Sequence, residues 1–163
     1  MRLVGEPLLN SFPDKIINVH PADLGVLEQN PDPTDSCRLR RIYIGEDAVS
    51  MALRAGEART RSSVIMVNSG VDNGEILTQG PWVDVREDFL KMGKAERDYV
   101  LKEVAEDHQY KQKEVSDWPA LTTALKLISQ GRIGLGTQRD FQKTWRKVYV
   151  DGEPMLYGGY QVE

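Results

Sequence analysis

Short apolar runs separated by polar turns dominate the first half of the chain, and they predict a series of strands. The run Ile16 to Val19 begins with two β-branched residues and is followed by His20, so it predicts a buried strand that stops where polar side chains begin. Ser62 to Val67 is a second apolar, β-rich run. Glu75 to Gln79, followed by Trp82 to Val85, predicts a further strand or a pair of strands.

Helical spacing of apolar residues governs most of the remaining pattern. Between Gly45 and Gly56 the apolar residues recur at helical spacing, and Gly56 supplies a C-terminal stop. The chain from Arg86 to Gln130 is predicted to be mainly helical, with two apolar stripes that Pro119 separates by kinking or dividing the helix. Gly131 is expected to end it.

Two segments depart from this alternation of strands and helices. Leu27 to Arg41 contains the core Asn30-Pro31-Asp32-Pro33-Thr34-Asp35-Ser36, which excludes regular structure, so we predict a long loop insertion at 27–41. A loop of this length is either a tolerated surface insertion or a functional lid. Residues 145–163 predict a C-terminal strand hairpin, with a turn at Asp151-Gly152 and a second strand around Met155 to Tyr157.

Strands that alternate with helices predict an α/β fold. The length of 163 residues fits one domain, residues 1–163. We expect a mostly parallel sheet with flanking helices. Such sheets place ligands at the carboxyl ends of their strands, and Asn18 and His20 lie at such an end.

Composition and charge narrow the classes of function. The chain has 21 basic and 25 acidic residues, a formal net charge of −4 and no basic stripe, which argues against a nucleic-acid partner. Cys37 is the single cysteine and there are two histidines, so neither a disulfide framework nor a zinc site can be assembled, and we expect no metal. His108 is interpreted as a packed helix histidine. The chain lacks an apolar run of about 20 residues and a secretory signal pattern, so we expect a cytoplasmic protein without a membrane partner.

Two polar residues at the end of the first predicted strand are candidate catalytic groups. Asn18 and His20 are two positions apart, so they project from the same face of a strand. The Asn18 amide can donate to a developing oxyanion, and an imidazole can move the proton of an attacking amine. Asp72, between Gly70 and Gly74, is the carboxylate that would raise the pKa of the imidazole. These residues are also compatible with a solvated loop histidine and an ordinary turn.

Several segments together resemble the folate-dependent formyltransferase family. Ile17-Asn18-Val19-His20-Pro21 is similar to the family's Asn-Ile-His-Pro catalytic strand, and Val71 to Gln79 resembles its Asp-Gly-Gly-Pro-Ile-Ile-x-Gln segment. Met1-Arg2-Leu3-Val4 is similar to the Met-Arg-Ile-Leu segment beside the folate. Lys113-Glu114 and Trp118-Pro119 are similar to the Gln-Glu and Tyr-Pro of the family's long helix. Because these segments follow the family's order, the resemblance covers most of the chain.

The resemblance implies a Rossmann-like formyltransferase domain that transfers a formyl group from 10-formyltetrahydrofolate to an amine, with glycinamide ribonucleotide of purine biosynthesis as one acceptor. Asn18 and His20 would stabilise the tetrahedral oxyanion, and Asp72 would keep His20 protonated. Residues Met1 to Val4 would contact the folate, and Glu114 would contact the amine substrate. The alternative is a non-catalytic or incomplete folate-binding or assembly module that has lost the nucleotide-binding half.

The family's first parallel strands and its Gly-rich phosphate loop have no counterpart in the sequence. Without those strands, Ile16 to Val19 would be an edge strand with unpaired backbone groups, which favours pairing with another chain. We therefore expect a homodimer or a higher homo-oligomer, with the contact in the region Met1 to Val19.

Overall fold

The computed structural model describes residues 4–32, 39–139 and 144–163. Its helices are α1 (Glu6–Ser11), α2 (Ala48–Ala55), α3 (Glu87–Lys91), α4 (Lys94–Gln112) and α5 (Trp118–Ser129), with a π-helical turn (Lys113–Asp117) between α4 and α5. Its strands are β1 (Ile17–His20), β2 (Leu27–Gln29), β3 (Leu39–Arg41), β4 (Arg59–Thr60), β5 (Ser63–Met66), β6 (Ile76–Gln79), β7 (Val83–Asp84), β8 (Ile133–Arg139), β9 (Arg146–Val150), β10 (Glu153–Pro154) and β11 (Tyr160–Gln161). None of the described helices combines the length and the apolar character needed to cross a membrane.

The central sheet has four strands in the order β1-β5-β6-β11, so the α/β class predicted from the sequence is confirmed. The predicted direction of the strands is wrong in part, because β1 with β5 and β5 with β6 are antiparallel and β6 with β11 is parallel. The chain between β5 and β6 is a short reversal through residues 67–75, which makes the two strands antiparallel neighbours. Apolar runs predict that a strand is buried, but they carry no information about its direction.

The strands and helices expected in the first two thirds of the chain are present. β1, β5, β6 and α2 lie where the apolar patterns predict them, and Gly56 ends α2 in the left-handed conformation at φ 85°. The predicted helical stretch from 86 to 130 is divided into α3, α4, the π-helical turn and α5. Pro119 lies in the first turn of α5, where a missing backbone N–H is tolerated.

The predicted loop and the predicted C-terminal hairpin both need correction. Although residues 33–38 lie outside the described residues, β2 and β3 at the two ends of the 27–41 segment pair in antiparallel fashion. Of the predicted hairpin, the turn at Asp151-Gly152 is present between β9 and β10, but the second strand is Glu153–Pro154 rather than Met155 to Tyr157, and β11 joins the central sheet. β8, which pairs with β9, was not predicted from the sequence. Short strands depend on partners that lie far away in the sequence, so local patterns locate them poorly.

One apolar cluster packs α5 against the central sheet, and another packs α2 against α4. Val64, Ala120 and Ala124 are buried together with Val19, so α5 covers one face of β1 and β5. A second cluster contains Leu53 and packs α2 against α4. Since β1 is backed by α5 and paired with β5, the residue at its end, His20, lies on a rigid support.

Candidate active site

His20 and Asp72 form a buried pair at the end of β1. The Nδ1 atom of His20 lies 3.3 Å from Oδ2 of Asp72, and its Nε2 atom lies 2.7 Å from the carbonyl oxygen of Tyr43. The two residues are only 3% and 7% exposed. Both ring nitrogens therefore face an acceptor, an arrangement that accommodates a proton on each of them. The contact between His20 and Asp72 that the sequence analysis predicted is observed.

Hydrogen bonds to both the backbone carbonyl and the carboxylate of Asp72 hold this residue in position. The backbone N–H of Gly45 donates to Oδ2 of Asp72 at 2.8 Å, and the guanidinium of Arg41 donates to the carbonyl oxygen of Asp72. Asp72 has a left-handed backbone with φ 45°, which is unfavourable for a residue with a Cβ atom. These contacts from β3 and from Gly45, in the segment that precedes α2, compensate for that conformation.

Asn18 and Asp72 line the same cleft, which has a volume of about 190 Å³. Val4 also lines this cleft, whereas Met1, Arg2 and Leu3 lie outside the described residues. The exposed Asn18 side chain has no hydrogen-bond partner among the described residues, so both of its amide N–H groups are available. His20 does not line this cleft in the described ranges; its buried ring contacts Asp72, which does.

Burial is the largest influence on the pKa of His20 and lowers it below its ordinary value of 6.5. The carboxylate of Asp72 and the carbonyl of Tyr43 raise this pKa, while the cation of Arg41 lowers it further. The prediction that Asp72 raises the pKa of His20 is confirmed in direction, but burial outweighs this effect, so the net pKa is lowered. The sequence can indicate which carboxylate lies beside a histidine, but it does not show how far the ring is removed from solvent.

Asp117, at the end of the π-helical turn, is a further carboxylate that interacts electrostatically with His20. Burial raises the pKa of Asp117, opposed by a hydrogen bond that the hydroxyl of Ser62 donates to it. Ser62 in turn accepts a hydrogen bond of 2.9 Å from the side chain of Gln112. Asp117 was not predicted from the sequence, because its approach to His20 depends on the fold; it lies at the end of a π-helical turn, and such turns are frequent at functional sites.

Within the described residues, Glu114 and His108 make no hydrogen bond or ion pair with His20 or Asp72. Glu114 is exposed on the π-helical turn and makes no ion pair or hydrogen bond within the described part of the chain, so its role in substrate binding stays a prediction. The Nε2 atom of His108 lies 2.7 Å from the hydroxyl of Thr60 in a buried position. This contact agrees with the interpretation of His108 as a packed helix histidine.

We expect the free energy of unfolding to fall when the pH is lowered from about 7.5 to about 5.5, because burial lowers the pKa of both His20 and His108 below the ordinary 6.5. Between the folded-state and the unfolded-state pKa values the unfolded chain binds more protons, so stability rises with pH there. The stabilisation that the two neutral histidines contribute is fully present above the unfolded-state pKa. It is lost as the pH falls through their folded-state pKa values. Urea titrations at several pH values measure this dependence.

The matched control for this prediction carries His20→Gln and His108→Gln together. Its stability should change less over the same range of pH. A native chain whose unfolding free energy is equal at both ends of the range would contradict the prediction. Asp14 and Glu75 have lowered pKa values beside Arg146, so their contributions are lost only at more acidic pH.

The fold and the site together define a class: an α/β protein with a buried imidazole–carboxylate pair beside a cleft that presents a free amide. The family model for formyl transferase matches residues 1–89, and the chain belongs to this family. Phosphoribosylglycinamide formyltransferase of Bacillus subtilis (strain 168) is 35% identical over 79 residues, which are 48% of this chain and 32% of that protein.

Solved structures show the same fold. Glycinamide ribonucleotide transformylase 1 from Symbiobacterium toebii superposes with a TM-score of 0.58 at 23% identity, over 92% of this chain and 52% of that one. Phosphoribosylglycinamide formyltransferase from Coxiella burnetii superposes with a TM-score of 0.56 at 20% identity, over 100% of this chain and 58% of that one. A formyltetrahydrofolate deformylase from Pseudomonas syringae pv. tomato superposes with a TM-score of 0.57 at 15% identity, over 92% of this chain and 37% of that one. The chain therefore spans at most 58% of the length of these relatives.

Proposed function

We propose that this chain transfers a formyl group from 10-formyltetrahydrofolate to an amine, and that the acceptor is glycinamide ribonucleotide of purine biosynthesis. The observation that supports this most directly is the buried His20–Asp72 pair beside the cleft that Asn18 lines, in a member of the formyl transferase family. The phosphoribosylglycinamide formyltransferase of Bacillus subtilis supports the choice of acceptor by its similarity.

The space beside Asp72 is suitable for a ligand of this kind. The loop of residues 70–73 separates the cleft from a larger groove of about 770 Å³, and Gly70 and Asn73 line both. A volume of this size is typical of small-molecule sites. The cleft combines the apolar side chains of Val4 and Ile17 with the polar groups of Asn18, so it offers both apolar contact and a hydrogen-bond donor beside Asp72.

The reaction requires a hydrogen-bond donor for the carbonyl oxygen and a path for one proton. When bound, 10-formyltetrahydrofolate supplies an activated formyl group with an amine nitrogen as leaving group. Asn18 donates to the carbonyl oxygen, whose negative charge grows as the acceptor amine attacks. Asp72 accepts the proton of the attacking amine, and His20 holds the Asp72 carboxylate and shares that proton before it passes to the leaving nitrogen.

Formyl transfer is tested by incubating the chain with 10-formyltetrahydrofolate and glycinamide ribonucleotide and measuring the formylated product by mass spectrometry. Asn18→Ala removes the amide donor at an exposed position, so it should lower kcat by about a hundredfold without unfolding the chain. A native chain that binds the folate in calorimetry but formylates no amine would contradict the proposal and favour the non-catalytic folate-binding or assembly module.

Asp72→Asn should shift the pH dependence of the rate as well as lower the rate. The carboxylate of Asp72 raises the pKa of His20, so its removal lets that pKa fall further. If turnover needs a proton on His20, the limb of the pH–rate profile that reports His20 moves to lower pH. Steady-state rates of both forms across pH measure this. An unchanged limb together with an unchanged kcat would remove Asp72 from the proposed mechanism.

We further propose that the chain forms a homo-oligomer through the region before and including β1. β1 is the outermost strand at one end of the described central sheet, and the nearby Phe12 side chain is 51% exposed. Phe12→Asp should therefore shift the chain toward monomer in light scattering, whereas Leu156→Asp, at a position 89% exposed near the C-terminus, should not. A native chain that is monomeric at every concentration measured would contradict this proposal.

A further inference from the structure

Arg41 is a buried cation that joins the 27–41 segment to the Asp72 loop. It is 5% exposed, its Nε atom donates to the hydroxyl of Tyr157 at 2.8 Å, and its Nη1 atom donates to the carbonyl oxygen of Asp72. The guanidinium carbon lies 4.6 Å from the ring centroid of Trp145 and 5.6 Å from that of Tyr157. Burying a cation costs several kcal/mol unless good contacts compensate, so this placement calls for an explanation.

The loop that Arg41 contacts is the one that carries the candidate carboxylate. A left-handed backbone at Asp72 costs roughly 1–3 kcal/mol and persists only where surrounding contacts enforce it. Arg41 bonds the carbonyl of Asp72, and the indole N–H of Trp145 donates to the carbonyl of Asn73 at 2.7 Å. Because the same guanidinium stacks near Trp145, one cluster fixes two successive carbonyls of the loop.

We propose that Arg41 is a positioning residue for the formyl transfer proposed above: it fixes the backbone of Asp72 so that the carboxylate meets His20. The inference rests on that proposed function, and it assigns the β2–β3 ladder of the 27–41 segment to the support of the site. Of the two interpretations open for this segment, a tolerated surface insertion does not account for a buried guanidinium bonded to the candidate carboxylate's own residue.

The charge of Arg41 also acts on His20. The charged groups that face His20 are Asp72 from the loop, Arg41 from β3 and Asp117 from the π-helical turn, and the carbonyl of Tyr43 bonds the ring. Arg41 lowers the pKa of His20, so removing its charge should raise that pKa. A lysine at position 41 keeps the charge but loses the planar fork that bonds Tyr157 and Asp72 together.

The test compares Arg41→Gln and Arg41→Lys with Arg86→Gln, whose exposed side chain pairs with Asp88 and lines neither the cleft nor the larger groove. A shift of Asp72 by about 1 Å is enough to lower kcat by roughly a hundredfold, so we expect Arg41→Gln to lower kcat at least tenfold with KM nearly unchanged. Arg41→Lys should recover part of that loss, and Arg86→Gln should resemble the native chain. Native kcat in a folded Arg41→Gln chain, or a change in KM alone, would overturn the proposal.

Titration of the histidine ring signals by NMR provides a readout that does not depend on turnover. Arg41→Gln should raise the pKa of His20 and leave that of His108 unchanged, whereas Arg41→Lys should leave both near their native values. If Arg41→Gln does not fold, Tyr157→Phe replaces it, because this variant keeps Arg41 but removes the hydroxyl that accepts its hydrogen bond. It should lower kcat and leave the pKa of His20 unchanged. If the native chain shows no formyl transfer, the proposed function fails. An unshifted His20 in folded Arg41→Gln would instead overturn the role of Arg41.

Discussion

Replacing His20 by alanine should lower the turnover of formyl transfer by about a hundredfold or more, the usual contribution of a positioned acid–base group. The imidazole lies 3.3 Å from Asp72 and occupies a buried position, so its loss removes both the partner that holds the carboxylate and the group that shares its proton. KM for the folate should change little, because His20 is buried and does not line the cleft in the described structure. Steady-state kinetics with both substrates measure the two constants separately.

His108→Ala is the matched control for this experiment. His108 is also a buried histidine, 6% exposed, but its described hydrogen bond goes to Thr60 on β4. Removing it should affect the thermal unfolding of the chain without a comparable loss in kcat. If His20→Ala stays folded by circular dichroism and keeps a substantial part of native kcat, His20 has no part in the proposed mechanism.

Gly74→Ala should both destabilise the chain and abolish its activity. An added Cβ atom at Gly74 would lie 1.5 Å from the carbonyl oxygen of Met66 and 2.5 Å from its carbonyl carbon, and these backbone atoms cannot swing aside as a side chain can. The adjacent backbone N–H of Met66 donates to the carbonyl of Glu75 at 2.9 Å, so relieving the overlap must separate β5 from the start of β6. Asp72 is two positions away and would move with this loop.

We expect Gly74→Ala to lower the free energy of unfolding by about 3 kcal/mol or more, against a total of about 5–15 kcal/mol for a native domain. Gly134→Ala is the matched control, because no heavy atom lies within 4 Å of its added Cβ. That variant should stay within about 1 kcal/mol of the native chain. Urea denaturation of the three forms measures the difference, and equal midpoints for Gly74→Ala and Gly134→Ala would show that the close approach of the two strands is not maintained.

Local patterns were sufficient to locate the main parts of the candidate site. Two β-branched residues followed by His20 predicted the end of β1, and the Asp-Asn-Gly turn located Asp72 between two strands. Helical spacing together with Gly56 located α2. These features are readable because each depends on residues that are neighbours in the sequence: the alternation of a strand, the spacing of a helix face, or the left-handed conformation of a glycine.

The sequence by itself therefore determined the α/β class, the formyltransferase resemblance and the partnership of His20 with Asp72. Only the tertiary structure decided that β1 and β5 are antiparallel, that Arg41 and the N–H of Gly45 hold Asp72, and that burial lowers the pKa of His20 overall. The physical reason is common to all of them. Strand direction, backbone hydrogen bonds between distant segments and the exclusion of water from a side chain arise from contacts between parts of the chain that no local pattern brings together.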